Sequence, residues 1–320
     1  MHGISTRKGH TGNSSAGEWM GIFGNSIQAR VAGKGLKYLW NKSKPFTIAV
    51  VVVVGAVNVA YYIKRYQRRK KWNDVGQDIV VLHMFPRGRF CPNLSPFVLK
   101  LETYLRMAEV PYQVDFEEPL GPKGKSPWIS LNGEEIGDSQ LIMEMLGPKY
   151  GKDFSSHLST EQLAIARAMR IMIEDHFLWC LAVWRFDVDA GKAFLNSIEA
   201  PYILRFVIAL FRRRIVGASR VQGLGRHSHE EVMEMGRKDL KALSLCLGEK
   251  PFLMGDKPTE VDCALFGFLA QVVWNSAGSP YLQMLETECI NLQAYCHRIK
   301  ERFWPDWGQC LNPPQSQIIQ

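Results

Sequence analysis

The chain has 320 residues, of which 46% are hydrophobic and 11% aromatic, enough to build one or two globular domains with a sizeable core. Its formal net charge is +8, but residues 1–71 hold thirteen of the 39 Lys and Arg residues and only one acid, so the remainder is slightly acidic. The basicity therefore belongs to the N-terminal segment. No helix-turn-helix, zinc-finger or RNA-binding signature accompanies it, which argues against a nucleic-acid partner.

The cysteine pattern argues against a disulfide framework and against a metal centre. The chain contains seven cysteines, an odd number, with no paired CxxC spacing. Such a set is typical of a reducing compartment. Cys289, Cys296 and His297 lie close in sequence, but they fall in a helical pattern in which cysteine is commonly a small buried side chain. We therefore predict no metal site.

The first predicted element is a transmembrane helix at residues 46–63, FTIAVVVVVGAVNVAYYI. These eighteen residues carry no charge and have about the length that a helix needs to cross the ~30 Å hydrocarbon core of a bilayer. Tyr61 and Tyr62 lie where an aromatic belt would meet the headgroups. A strand would rarely be this long, and a signal peptide would begin nearer the N-terminus and end in a small-residue cleavage pattern.

The flanking charges predict which way this helix is oriented. Four lysines precede it, at positions 34, 37, 42 and 44, and six basic residues follow it between Lys64 and Lys71. By the positive-inside rule the more basic side faces the cytosol, so we expect the globular body there. Residues 1–45 are rich in Gly, Ser and Lys and are predicted to be a disordered basic segment. Residues 64–74 are predicted to be a basic linker.

Residues 75–150 have the pattern of a thioredoxin-like α/β domain. The first helix is expected to begin at Pro96, with Ser95 as its N-cap, after the loop CPNLSP. A second helix runs from Ser139 to Leu146, and the turn Asn132–Gly133 favours a hairpin before it. Four strands are predicted, at 79–85, 110–116, 127–131 and 134–137. The resulting order is strand, helix, three strands, helix.

Residues 155–305 are predicted to form an all-helical domain, followed by a tail at 306–320. Three capping boxes mark helix starts: Ser159 with Gln162, Ser228 with Glu231, and Thr259 with Asp262. The last lies before the apolar run of PTEVDCALFGFL, so we expect Asp262 to accept hydrogen bonds from backbone N–H groups inside the domain. An amphipathic helix, INLQAYCHRIKERFWP, ends at Pro305.

Two segments, KSPWI and GDSQLIMEML, resemble motifs of the glutathione transferases. The resemblance implies that Pro127 is cis at the start of the third strand, and that Ser126, Asp138 and Ser139 form a glutathione site. There, the backbone of Ser126 would pair with the extended peptide and the helix N-terminus would bind its carboxylate. The same residues also suit purely structural roles, since this cis proline shapes the fold and Asp138 with Ser139 makes an ordinary cap. Glutathione is therefore one of two open interpretations.

The same resemblance requires a hydroxyl or thiol at the start of the first helix, where the helix N-terminus stabilises a thiolate. The segment RFCP suggests Cys91. Spacing from the VPYQV strand, however, places Ser95 at the helix start and leaves Cys91 four residues upstream in the loop. Ser95 is therefore the preferred catalytic candidate and Cys91 the less favoured one. The alternative is that Ser95 is only an N-cap.

Three further segments resemble the failed axon connections family, relatives of the metaxins: SPFVLKLETYLRMAEVPYQ, GRHSHEEV and INLQAYCHRIKERFWPDW. The resemblance implies one transmembrane helix, a thioredoxin-like domain and an all-helical glutathione-transferase C-terminal domain. It also implies a membrane-associated or neuronal role, such as axon development. Metaxin kinship would place the protein in the mitochondrial outer membrane, whereas the sequence alone is equally compatible with the endoplasmic reticulum or plasma membrane.

Two functional hypotheses follow from these resemblances. In the first, the protein acts through protein partners, which include a second copy of itself by analogy with other transferase folds. In the second, it is a glutathione-dependent transferase or thiol-handling enzyme that uses Ser95 with the Asp138–Ser139 site. The loop CPNLSP departs from that of a typical transferase, and this departure favours the first hypothesis.

Overall fold

The computed structural model describes residues 44–198 and 204–313. The chain divides into two compact units, residues 1–71 and residues 72–320. The predicted disordered segment at 1–45 lies outside the described residues except for positions 44 and 45, and the predicted tail at 306–320 is described as far as residue 313.

The first element is a long helix, α1, from Lys44 to Asn73. Among the described residues, its Ala49–Asn73 portion is the one stretch of helix long and apolar enough to cross a membrane. The side chains of Val51, Val52 and Val53 are each 60–62% exposed, and this exposed apolar surface is what a lipid-facing helix requires. The basic residues after position 63 continue the helix, because no Gly or Pro interrupts it and Lys, Arg and Gln are good helix formers.

The second unit begins with the thioredoxin-like domain predicted from the sequence. Its elements are β1 Val80–His83, α2 Pro96–Met107, β2 Tyr112–Asp115, β3 Trp128–Leu131, β4 Glu134–Gly137 and α3 Ser139–Lys149. The four strands form one mixed sheet in the order β2-β1-β3-β4. Strand β1 is parallel to β2 and antiparallel to β3, and β3 is antiparallel to β4. The predicted order of strands and helices is confirmed.

The second domain is helical, which confirms the fold class. Its elements are α4 Thr160–Ile171, α5 Leu178–Val183, α6 Lys192–Asn196, α7 Leu204–Gln222, the 3-10 turn Leu224–Arg226, α8 His229–Leu247, α9 Glu260–Asn275, α10 Pro280–Thr287 and α11 Ile290–Phe303. The domain boundaries at 75–150 and 155–305 stay predictions.

Two π-helical segments interrupt the first long helix of this domain. Met172–Phe177 lies between α4 and α5, and Trp184–Val188 follows α5. The helical chain therefore runs from Thr160 to Val188 without a break. Each π segment shifts the faces of the helix and changes which side chains point into the domain.

Two apolar cores hold this unit together, and α2 contributes to both. Val98 and Leu101 pack in the core of the sheet domain, whereas Leu99 packs in the helical core. Helix α9 approaches α2 closely at Gly267, where a Cβ atom would lie only 2.5 Å from the carbonyl oxygen of Pro96. Glycine is therefore required at this crossing, which joins the two domains.

The predicted capping boxes are present at α4 and α8. At α9, Asp262 is 2% exposed and accepts hydrogen bonds from the backbone N–H groups of Leu253 and Thr259, each at 2.8 Å. The hydroxyl groups of Thr259 and Tyr295 also donate to it, at 2.8 and 3.0 Å. The expectation that Asp262 accepts from backbone groups inside the helical domain is therefore confirmed.

Candidate functional site

The strand register brings the predicted glutathione-site residues to one edge of the sheet. Trp128 on β3 is paired with Gly137 on β4 in antiparallel register. Pro127 directly precedes β3 and Asp138 directly follows β4, so both lie at the same end of this strand pair. The Ser126–Pro127 peptide bond is cis, as the resemblance implied. The Ser126 hydroxyl is buried, with no hydrogen-bond partner within the described part of the chain.

Asp138 caps helix α3 from an exposed position. Its Oδ1 atom accepts hydrogen bonds from the backbone N–H groups of Gln140, at 3.0 Å, and Leu141, at 3.2 Å. Its backbone φ is +92°. The carboxylate therefore accepts from two N–H groups of the first helical turn, and Ser139, the first residue of the helix, is buried. Such donors at a helix N-terminus suit a carboxylate ligand.

Ser95 occupies the N-cap position of α2, at the same edge of the sheet. Asn93 holds it there, because its side chain donates to the carbonyl oxygen of Phe85 at 2.9 Å and accepts from the Ser95 N–H at 2.9 Å. The Ser95 hydroxyl makes no capping hydrogen bond, although Pro96 begins the helix as predicted. The positional prediction for Ser95 therefore agrees with the geometry, and its hydroxyl is not committed to the helix.

Cys91 lies in a different environment, underneath the helical domain. Its side chain is fully buried, and burial raises the pKa of the thiol to about 12. The loop around it is held from the helical side, where Gln271 donates to the carbonyl oxygen of Asn93 at 3.0 Å and the Arg89 N–H donates to that of Ser197 at 2.9 Å. Since the thiolate is the reactive form of cysteine, Cys91 is a poor nucleophile.

A buried polar network, which the sequence did not predict, lies behind Ser139. Lys100 Nζ donates to Gln140 Oε1 at 2.7 Å and to Glu174 Oε1 at 2.5 Å. Arg170 donates to the other oxygen of Glu174 at 2.9 Å. Burial lowers the pKa of Lys100, and the Glu174 carboxylate opposes that shift. The one sequence signal was a lysine within the apolar helix PFVLKLETYLRM.

A cleft of about 200 Å³ borders this network, between α3, α4 and the start of α9. Gln140, Glu144 and Glu260 line one part of it, and Arg167 and Arg170 line another. Burial raises the pKa of Glu260, and the nearby Glu144 raises it further. The cleft therefore presents both signs of charge.

A second buried row crosses the sheet from β2 to β3. His83 Nδ1 lies 3.0 Å from Asp115 Oδ2, and His83 Nε2 lies 2.9 Å from Ser130 Oγ. The His83 ring stacks on Trp128, with ring centroids 3.7 Å apart. All three polar side chains are at least 94% buried, so a substrate has no access to them. The row satisfies buried polar groups and fixes the strand register.

Comparison with known proteins agrees with this geometry. The family model of the glutathione S-transferase N-terminal domain matches residues 96–191, and that of the C-terminal domain matches residues 236–299. The isoprene-epoxide glutathione S-transferase of Rhodococcus sp. is 33% identical over 229 residues, which are 66% of this chain and 94% of that enzyme. The fold and these matches show that the chain belongs to the glutathione S-transferase family.

Three further relatives place the chain more closely. Failed axon connections of Drosophila melanogaster is 35% identical over 250 residues, which are 73% of this chain. The matched region spans only 60% of that fly protein's length. Metaxin-2 of Mus musculus is 25% identical, over 66% of this chain and 83% of that protein. The mitochondrial outer membrane import complex protein METAXIN of Arabidopsis thaliana is 21% identical, over 70% of this chain and 71% of that protein.

Within that family, the chain is metaxin-like and is similar to failed axon connections over 73% of its own length.

Proposed function

We propose that this metaxin-like protein is anchored in a membrane by α1 and acts by binding protein partners through its transferase-fold body. The burial and protonation of the Cys91 thiol support the non-enzymatic part of the proposal. Its thiol is fully buried and stays protonated at neutral pH, since burial raises its pKa to about 12. Cys91 therefore supplies no thiolate, which removes the cysteine-based form of catalysis. The kinship with failed axon connections and metaxin-2 supports the use of the fold as a binding surface.

The anchor is supported by the exposed valines of α1 and by its length. The excess of basic residues after position 63 favours a body that faces the cytosol. The METAXIN of Arabidopsis, by its name, belongs to a mitochondrial outer membrane import complex. This kinship supports the proposal that the membrane is the mitochondrial outer membrane. The name of the fly relative points to a role in axon development.

Proximity labelling in intact cells tests the proposal. The full chain is compared with a chain that keeps residues 1–74 but carries an unrelated globular domain in place of the body. Partners that depend on the body are expected to be lost from the second chain. Partners that persist with the unrelated domain would contradict the proposal. Co-capture of two differently tagged full chains tests whether one of these partners is a second copy.

A matched control separates partner binding from chemistry. In this control, Ser95→Ala and Ser139→Ala are combined in the full chain. If the body acts as a binding module, the labelled partners are the same as those of the unchanged protein. Loss of the same partners would mean that an occupied glutathione site organises the binding surface.

A glutathione-dependent enzyme is the second candidate, favoured by the Ser95 hydroxyl, which makes no capping hydrogen bond, and by the position of Ser139 at the N-terminus of α3. The kinship with a Rhodococcus enzyme that is itself a glutathione S-transferase supports it. Calorimetric titration of glutathione into the full chain in detergent tests the site. Saturable heat that Ser139→Ala weakens would support this candidate, whereas no heat at millimolar glutathione from folded protein would remove it.

A further inference from the structure

One group of three metal-ligating side chains lies within the described part of the chain, and it shares no residue with the candidate glutathione site. It consists of His176, Cys180 and Asp239, whose ligand atoms all lie within 4.8 Å of one another. We propose that these residues bind a zinc-class divalent cation that links the π-helical segment and α5 to helix α8.

Local helix geometry brings the first two ligands together. His176 lies in the π segment Met172–Phe177, and Cys180 lies four residues later in α5, so the two side chains fall on one face. Asp239 comes from the facing helix α8. The π segment is the feature that sets the direction of His176, and such segments are frequent at functional sites. The three ligands therefore come from two helical stretches that pack against each other.

The distances are close to those of a coordinated ion. With zinc-to-ligand bonds of about 2.0 to 2.3 Å, tetrahedral ligand atoms lie roughly 3.4 Å apart. His176 Nδ1 now lies 2.6 Å from Asp239 Oδ2, as in a direct hydrogen bond. A cation would take the place of that shared proton, so the two atoms would separate by somewhat less than ~1 Å while Cys180 Sγ moves inward. Rotamer adjustments of this size need no movement of the helices.

Charge and access also suit this chemistry. A thiolate and a carboxylate together neutralise a divalent ion, which favours the ion in a site where Asp239 is only 8% exposed. The His176 side chain is 42% exposed, so the site opens to solvent and a water molecule completes four ligands. The mixed nitrogen, sulfur and oxygen set selects zinc-class ions over magnesium or calcium, which prefer oxygen alone.

Cobalt(II) titration tests the proposal, because a cobalt–thiolate bond gives a charge-transfer band in the near ultraviolet. The full chain is purified without a histidine tag, held in detergent micelles and freed of metal with a chelator. We expect a thiolate band that saturates at one equivalent and is abolished by added zinc. A folded, reduced wild-type chain that gives no band would overturn the proposal.

Variants locate the ligands. Cys180→Ser is expected to abolish the band, and His176→Asn or Asp239→Asn to weaken cobalt binding at least about tenfold. Two matched controls are expected to bind like the wild type. His229→Asn alters a histidine that pairs with Asp187 at 3.1 Å, and Cys246→Ser alters a half-buried cysteine on α8. A band that survives Cys180→Ser would contradict the assignment. Because His176 is partly exposed, its variant still tests the site if the buried replacements fail to fold.

Discussion

Lys100 Nζ lies 2.5 Å from Glu174 Oε1, and this buried ion pair links the first helix of the sheet domain to a π segment of the helical domain. Lys100 is fully buried and Glu174 is 8% exposed. Removing two charges from water is costly, so the pair is stable only because Gln140 and Arg170 complete its hydrogen bonds. The orientation of the two domains of this body thus depends on a small polar network.

Removing Glu174 from this pair should destabilise the protein more than removing Lys100. Glu174→Gln leaves Lys100 and Arg170 as two unneutralised cations, and it should lower the free energy of unfolding by about 3 kcal/mol or more. Lys100→Met should cost less, because Glu174 keeps Arg170 and the new side chain fills the apolar space. Thermal unfolding in detergent measures both. Equal losses of stability in the two variants would show that the ion pair between Arg170 and Glu174 does not contribute to the difference.

The second prediction compares two helix caps. Asp262→Ala leaves the buried N–H groups of Leu253 and Thr259 without an acceptor, and should cost about 3 kcal/mol, a fall in Tm of about 6 to 12 °C. Asp138→Ala, at an exposed cap, should cost only about 1 kcal/mol. Scanning calorimetry of both variants distinguishes them. Comparable shifts in Tm would mean that the burial of Asp262 does not increase the contribution of this cap to stability.

The third prediction concerns acid stability. Arg106 donates to Asp306 and lowers the pKa of that carboxyl to about 2, below the value of about 3.9 in an unfolded chain. A lowered pKa in the folded state stabilises the protein above about pH 4, and this stabilisation is lost as the pH falls toward 2. The difference in Tm between wild type and Asp306→Asn should therefore shrink as the pH falls from 6 to 2.5.

The exposed Asp256 provides the control for that experiment. Asp256→Asn should give a Tm close to the wild-type value at every pH in the same range. A constant difference between wild type and Asp306→Asn across the range would show that the ion pair with Arg106 contributes no pH-dependent stability.

The fourth prediction tests the membrane anchor. Each aspartate placed at the centre of a transmembrane helix costs about 3 kcal/mol of insertion free energy. Val52→Asp combined with Val57→Asp should therefore move the full chain from the alkali-resistant membrane fraction to the soluble one. Val221→Asp, on the 81% exposed Val221 of α7, should leave the protein in the membrane. Retention of the double variant in the alkali-resistant fraction would show that α1 is not the anchor.

Local patterns account for what the sequence predicted well. The four strands, the helix start at Pro96 and the capping box at Ser228 depend on residues a few positions apart, so their signals are complete within a short window. The cis bond before Pro127 came from the resemblance to the transferases, since no local rule demands it. The fold class could therefore be predicted almost entirely from the sequence.

Contacts between distant residues account for what the sequence did not reveal. Lys100 and Glu174 are 74 positions apart, and no local sequence pattern around either residue predicts their contact. The burial of Cys91 depends on Gln271 and on the helical domain that covers the loop. The group of His176, Cys180 and Asp239 depends on a π segment that shifts one helix face, and no spacing rule for zinc sites detects it.

We propose that the transferase fold of this chain binds partners and catalyses no glutathione transfer. The most direct measurement is the rate of conjugate formation by the full chain in detergent, with glutathione and a panel of electrophiles that includes epoxides. Partner binding without catalysis predicts the same rate for wild type and Ser95→Ala, equal to the background without protein. A rate above background that falls at least tenfold in Ser95→Ala would contradict it and assign an enzymatic function to the protein.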